Sequence, residues 1–219
     1  MGAAALVTPD VCFAATARAP SFQAEAGQAD VLFPTRLFPL DGFTATSSML
    51  DTTIDLIKML TGKFSIDRKR LYTTGQSGGC MMSIAMDIKY PELFAASFLV
   101  AGQWDPALVK PLARQKLWIL VSQDDDKAWP EQNAITAALE KQGAQVSRAV
   151  WDGTWTPKEF EAAFEKIDAE NNPINYVAFQ KGTVIPEGQS AAGASGHRNT
   201  WRIAYTIEPI RAWIFRQRR

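Results

Sequence analysis

The chain has 219 residues, a length that suits a single domain with a sizeable hydrophobic core, and we expect one domain over residues 1–219. Its 23 basic and 23 acidic side chains balance, so the charge predicts no nucleic-acid partner and no anionic membrane surface. One histidine and two cysteines argue against a structural zinc site, which needs four such ligands.

Targeting signals are missing from the N-terminal residues MGAAALVTPD, which carry neither a basic segment nor a long apolar segment. No signal peptide is therefore predicted in this chain, and secretion would require a signal upstream of Met1. No stretch approaches 18 uncharged apolar residues, so no membrane span is predicted either. The compartment and the oligomeric state stay open.

Short apolar runs alternate with helical patterns along the chain, which is typical of an α/β fold with a mainly parallel sheet. A first strand is predicted over residues 4–8, and a long irregular segment follows from Pro9 to about Thr46. Further strands are predicted over residues 70–74, 94–101, 116–122, 146–151 and 176–185. Helices are predicted from Ser47 to Gly62, over 78–90, 130–142 and 157–167, and in a final segment that Pro209 must kink or interrupt.

Ser77 stands in the sequence GQSGG, which fits the pattern G-x-S-x-G. The pattern falls between a predicted strand and a predicted helix, the placement that a nucleophile elbow requires. The tripeptide GQS recurs at residues 188–190, but there Ala192 replaces the second glycine and no strand-helix junction is predicted. A glycine-rich turn or an anion-binding loop is the alternative, and we interpret Ser77 as a nucleophile.

A serine hydroxyl needs a general base to attack at neutral pH, and His197 is the only imidazole in the chain. It follows the last predicted strand and precedes the last helix, where this order of catalytic residues places the base. The third partner should be a carboxylate at the end of an intervening strand. The residues alone do not choose among five candidates, Asp105, Asp124, Asp125, Asp126 and Asp152.

Three segments together resemble the α/β-hydrolase group of polyhydroxybutyrate-depolymerase-like esterases and predicted peptidases. The run IDRKRLYTTGQSGG resembles the group's I-D-x-x-R-I-Y-x-x-G-x-S-x-G-G, and GHRNTWRIAY resembles its histidine motif H-x-x-x-W-x-x-A-Y. The group's acid motif, H-G-x-x-D-x-x-V-P, is similar to the end of KLWILVSQDDDKAWP. This resemblance implies Asp126 as the catalytic acid and Pro130 as the final proline, although Ser122 and Gln123 replace the usual His and Gly.

The resemblance implies an α/β-hydrolase-type, mainly parallel sheet with helices on both faces. It also implies a serine hydrolase that cleaves carboxylic esters through an acyl-enzyme, without a metal or cofactor, on a small ester or acyl substrate. The catalytic residues would be Ser77, Asp126 and His197, with the Gly78 N–H in the oxyanion hole. Three further residues are expected to contact substrate, Gln76, Trp104 and Trp129.

The group's oxyanion loop, of H-G-x-G type after an early strand, has no counterpart in this sequence. We therefore expect an N-terminally incomplete fold that lacks the early strands. Two alternatives remain open: a peptidase of the same fold, because the same residues serve both reactions, and a truncated, non-catalytic binding domain.

Overall fold

The computed structural model describes residues 3–7, 11–17 and 48–219. The described strands are β1 (Ala3–Val7), β2 (Val11–Ala17), β3 (Ile66–Gln76), β4 (Ala96–Val100), β5 (Leu117–Ser122), β6 (Val146–Trp151) and β7 (Ile174–Phe179). They form one sheet in the order β1-β2-β3-β4-β5-β7-β6. The five strands from β3 to β7 run parallel, whereas β1 pairs antiparallel with β2, and β2 with β3. The predicted α/β class with a mainly parallel sheet is confirmed.

Helices connect these strands, as expected where parallel neighbours need crossover connections. Strands β4, β5 and β7 are buried at every residue, which indicates that both faces of the sheet are covered. A 3-10 helix, Lys110–Arg114, precedes β5. The α-helices are α1 (Ser48–Lys63), α2 (Gly78–Lys89), α3 (Ala128–Lys141), α4 (Pro157–Asp168), α5 (Ser195–Ala204) and α6 (Glu208–Arg216).

Adjacent residues of β3 show the two helical layers, because neighbouring side chains in a strand point to opposite faces. Tyr72 packs edge-on against Phe215 near the end of α6, at 5.4 Å between ring centroids. The hydroxyl of Thr73, on the other face, lies 2.8 Å from that of Ser83 in α2. Helices α1 and α3 share the layer of α2, and α4 packs against α6 on the opposite face. The expected covering of both faces is thus confirmed.

Strands β2 and β7 differ from the sequence prediction, whereas the expected effect of Pro209 is observed. Strand β2 lies in the segment predicted to be irregular, and its three alanines explain the error because alanine disfavours strands. Strand β7 ends at Phe179, six residues early, because the chain then turns, with the Gln180 carbonyl accepting from the Thr183 N–H at 3.2 Å. Pro209 does interrupt the final helical segment, since it lies in the first turn of a separate helix, α6.

Among the described residues, no helix is long and apolar enough to cross a membrane. The rest of the segment predicted to be irregular, residues 9–10 and 18–46, lies outside the described residues.

Candidate active site

Ser77 lies directly between the end of β3 and the start of α2. Its backbone adopts φ 51° and ψ −120°, a conformation that costs energy for a residue with a Cβ atom. Two backbone hydrogen bonds hold it there. The Ser77 N–H donates to the Val100 carbonyl at 3.0 Å, and the Ser77 carbonyl accepts from Met81 at 3.0 Å. The serine is therefore fixed in a strained turn at the carboxyl edge of the parallel strands.

His197 lies in the first turn of α5, and its ring is hydrogen-bonded to a buried carboxylate. The imidazole Nδ1 lies 2.5 Å from Oδ2 of Asp125, whose side chain is 4% exposed. The other oxygen, Oδ1, accepts from the backbone N–H groups of Ala128 at 2.9 Å and Lys127 at 3.2 Å. This hydrogen bond fixes the orientation of the imidazole ring. The other ring nitrogen, Nε2, is the one that is not bonded to Asp125.

Burial alone would raise the pKa of Asp125, because a carboxylate loses hydration in the interior. The hydrogen bond with His197 and those from Ala128 and Lys127 outweigh that effect. They hold the pKa of Asp125 below its ordinary value. Asp125 is therefore an anion at neutral pH and can stabilise a positive charge on His197.

The aspartate that contacts His197 is Asp125, whereas the expected catalytic acid was Asp126. Asp126, one residue later, is exposed. The difference arises from the turn after β5, where the Asp125 N–H donates to the Ser122 carbonyl at 3.0 Å. That turn directs the Asp125 carboxylate inward, toward the first N–H groups of α3. Because α3 starts at Ala128, two residues before the predicted start, the N–H groups of Lys127 and Ala128 lie within reach of the Asp125 side chain.

The other three candidate acids have different partners. Asp124 accepts a hydrogen bond from the Gly182 N–H at 2.7 Å, which ties the turn after β5 to the loop after β7. Asp105 is exposed and Asp152 is half-buried, and each accepts from the backbone N–H two residues further along, at 2.8 Å. These are local turn contacts. Of the five aspartates, Asp125 is the one bonded to the histidine.

Ser77, Asp125 and His197 open on the same cavity, whose volume is about 540 Å³. The cavity lies where the carboxyl ends of β3, β4 and β5 meet, the usual ligand position in an open α/β sheet. Its other walls are formed by Met81, Ala101, Gly102, Gln103, Asp124, Asp126, Lys127, Gly193 and Ala194. The structure therefore brings together the predicted serine and histidine with an aspartate of the predicted triplet.

Gly196 explains how α5 approaches the acidic turn so closely. A Cβ atom built at this position would lie 2.4 Å from the Asp124 carbonyl oxygen and 2.4 Å from its Cβ atom. Only glycine fits there without a shift of the backbone. The glycine before His197 thus allows the helix to place the imidazole beside Asp125.

The three residues expected to contact substrate are not among the described residues that line the cavity. Gln76 ends β3 and is half-buried, Trp104 follows β4 and is buried, and Trp129 lies in the first turn of α3 with 36% of its surface exposed. Gly78, the expected oxyanion donor, is the first residue of α2, directly after Ser77. Sequence reasoning missed Gln103 and Lys127. Gln103 lies just after β4 and Lys127 just before α3, and these positions in the sequence could have indicated that both residues lie near the site.

Metal-binding groups do not cluster in the described part of the chain, where no three His, Cys, Asp or Glu side chains could hold an ion together. Cys80, three residues after Ser77, is fully buried, and burial raises the pKa of its thiol. A Cβ atom on Gly102 would lie 2.3 Å from the Cys80 sulfur. The thiol is therefore a packed, neutral core group.

Comparison with known proteins supports the fold. No protein-family model and no curated protein matches the chain. Among solved structures, the crystal structure of a thermostable esterase is similar, with a TM-score of 0.59 and 21% sequence identity. The chain has an α/β-hydrolase fold. The match covers 79% of this chain but 37% of the esterase's chain, so the likeness extends over about a third of that protein.

Proposed function

We propose that this chain is a serine hydrolase that cleaves carboxylic esters. The observation that carries the proposal is the 2.5 Å contact between His197 and the buried Asp125, on a cavity that Ser77 also lines. A histidine oriented by a carboxylate beside a serine is the arrangement that activates a hydroxyl nucleophile. The strained backbone of Ser77, between strand and helix, supports the same conclusion.

In this mechanism Ser77 Oγ attacks the ester carbonyl and His197 accepts the hydroxyl proton. The imidazolium that forms is stabilised by Asp125, which also holds the proton on Nδ1. His197 then protonates the leaving alcohol, and an acyl group remains on Ser77. Water, deprotonated by His197, releases the acid in the second half of the reaction. The likeness to an esterase favours an ester over an amide substrate.

The oxyanion of the tetrahedral intermediate needs two hydrogen-bond donors. The first is the backbone N–H of Gly78, at the N-terminus of α2, where the helix dipole favours negative charge. For the second we propose the side-chain amide of Gln103. It lines the cavity, and it has no hydrogen-bond partner among the described residues.

The nucleophile is tested by p-nitrophenyl acetate hydrolysis and by covalent labelling with a fluorophosphonate probe. Ser77→Ala is expected to abolish labelling and to reduce kcat by roughly 10⁶-fold or to background. The matched control is Ser190→Ala, because Ser190 lies in the same tripeptide, Gly-Gln-Ser, in an exposed loop. Labelling that persists in Ser77→Ala would contradict the proposal, and an unlabelled wild type would favour the non-catalytic alternative.

The second oxyanion donor is tested by the variant Gln103→Ala. Loss of one donor should lower kcat by about 10²–10³-fold with little change in KM, because the bond forms mainly in the transition state. The split between kcat and KM in steady-state kinetics is the measurement. A kcat equal to that of wild type would assign the second donor to another group.

A further inference from the structure

A second cavity lies at the opposite end of the parallel strands from Ser77, where these strands begin. Its volume is about 400 Å³, within the range of roughly 300–1,000 Å³ typical of small-molecule sites. Its walls come from the starts of β5 and β7 and from the C-terminal ends of α4 and α6. We call it the amide cavity, because four carboxamide side chains line it, those of Asn171, Asn172, Asn175 and Gln217.

Asn175 is the decisive residue of the amide cavity. It is 1% exposed, and neither Nδ2 nor Oδ1 of its side chain has a hydrogen-bond partner among the described residues. An unpaired buried polar group destabilises the folded state, because it has lost its hydrogen bonds to water. A sheet interior would normally carry an apolar side chain here, as at Ile174 and Val177 of the same strand.

The neighbours of Asn175 in the sheet do not satisfy its amide, although both carry polar atoms. In register on either side are Trp118 and Ser147. The indole Nε1 of Trp118 is also buried without a partner in the described residues. The Ser147 hydroxyl instead accepts a hydrogen bond from Asn172 at 3.1 Å. The fold therefore leaves the buried amide of Asn175 without a partner among the described residues, in a residue that lines the cavity.

The charges around the amide cavity largely cancel. Arg216 is paired with Asp168 through two contacts of 2.9 and 3.0 Å. Lys116 donates to the Arg218 carbonyl at 3.1 Å. The C-terminal ends of α4 and α6 add partial negative charge, which offsets the positive charge of Lys116. Neither an anion nor a cation is favoured, so the surroundings suit a neutral polar ligand.

We propose that the amide cavity binds a small, neutral, polyhydroxylated molecule of about monosaccharide size. A hydroxyl both donates and accepts, as a carboxamide does, so one hydroxyl group can satisfy both halves of the Asn175 amide through paired contacts. The ring of Trp213, which also lines the cavity, supplies an apolar wall for the carbon-bound hydrogens of such a ligand. This proposal is independent of the chemistry proposed at Ser77.

The probes are glucose and myo-inositol as neutral polyols, with succinate and ethylammonium as charged probes of similar or smaller size. Each is titrated into the full chain by isothermal titration calorimetry. We expect saturable binding of at least one polyol and none of the charged probes. No saturable binding of either polyol, or tighter binding of succinate or ethylammonium, would overturn the proposal.

Three variants test whether the polyol binds in the amide cavity. Asn175→Leu keeps the number and branching of the side-chain heavy atoms and removes both polar groups, so polyol binding should be lost. Gln217→Ala, at the half-buried rim, should weaken it at least about fivefold, and this variant decides the matter should Asn175→Leu not fold. The control Gln142→Ala, at the exposed end of α3, should bind as wild type does. Polyol binding that is unchanged in Gln217→Ala and in any folded Asn175→Leu protein would overturn the assignment.

Discussion

At the scale of single residues, Asp125 uses its two carboxylate oxygens for two different purposes. Oδ1 accepts hydrogen bonds from N–H groups at the start of α3, and Oδ2 bonds the imidazole of His197. The helix start thereby holds the carboxylate in the rotamer that reaches the histidine. Asp124 and Asp126 lack this combination, because one is bonded to Gly182 and the other is exposed.

Substitution at Asp125 tests this assignment. Asp125→Asn should lower kcat on the order of 10⁴-fold, because an amide in this place favours the wrong imidazole tautomer. The matched variant Asp126→Asn should lose far less activity, since Asp126 lines the cavity with an exposed side chain and His197 is bonded to Asp125 instead. Both are measured by p-nitrophenyl acetate hydrolysis, with circular dichroism to verify folding. A larger loss in Asp126→Asn would restore Asp126 as the acid.

At the scale of elements, the contact between α2 and β4 buries a carboxyl group outside the proposed catalytic machinery. Asp87 of α2 is 1% exposed, and Ser97 of β4 is equally buried. Burial raises the pKa of Asp87 to about 8, and the nearby Ser97 hydroxyl offsets only part of that effect. In the folded protein Asp87 is therefore largely protonated at neutral pH.

This protonation makes stability depend on pH. An unfolded Asp releases its proton near pH 4, whereas folded Asp87 keeps its proton to about pH 8. The folded state binds more protons in that interval, so the contribution of Asp87 is fully present below pH 4 and falls as pH rises to 8.

Urea unfolding at pH 5, 7 and 9 checks this expectation, with Asp87→Asn as the comparison because asparagine does not titrate. The free energy of unfolding of wild type should fall relative to that of Asp87→Asn between pH 5 and 8 and then level off. Parallel curves for the two proteins would show that Asp87 ionises normally in the folded state.

At the scale of the whole molecule, one tryptophan joins several elements across the sheet. Trp118 of β5 is fully buried and packs against Phe164 of α4 at 5.3 Å and Trp213 of α6 at 5.5 Å between ring centroids. It also contacts Trp151, at the end of β6, at 6.2 Å. This aromatic cluster holds the α4–α6 layer on the sheet.

Removal of that ring should destabilise the molecule strongly. Trp118→Ala is expected to lower the free energy of unfolding by about 3–5 kcal/mol, because it leaves a large cavity in the core. Trp129→Ala is the matched control. That residue is 36% exposed, and its loss should cost less than about 1 kcal/mol. Urea denaturation followed by circular dichroism gives both values, and equal costs would contradict this account of the core.

The sequence by itself determined the class of fold and two members of the candidate site. Alternating apolar runs and helical patterns predicted the parallel strands and their connecting helices, because these signals depend on neighbouring residues. The position of Ser77 between a strand and a helix, and the presence of a single histidine, are local facts of the same kind. Strand β2 was not predicted, because its alanines have little preference for strands and its pairing with β3 is a long-range contact.

Only the tertiary structure decided which aspartate meets His197. Three consecutive aspartates are chemically equivalent in sequence, and the direction of each carboxylate depends on the turn after β5 and on where α3 begins. The cavity wall that includes Gln103 and the buried amide of Asn175 were equally beyond sequence reasoning. Each depends on side chains that converge from separate elements, and such convergence is set by packing rather than by neighbours in the chain.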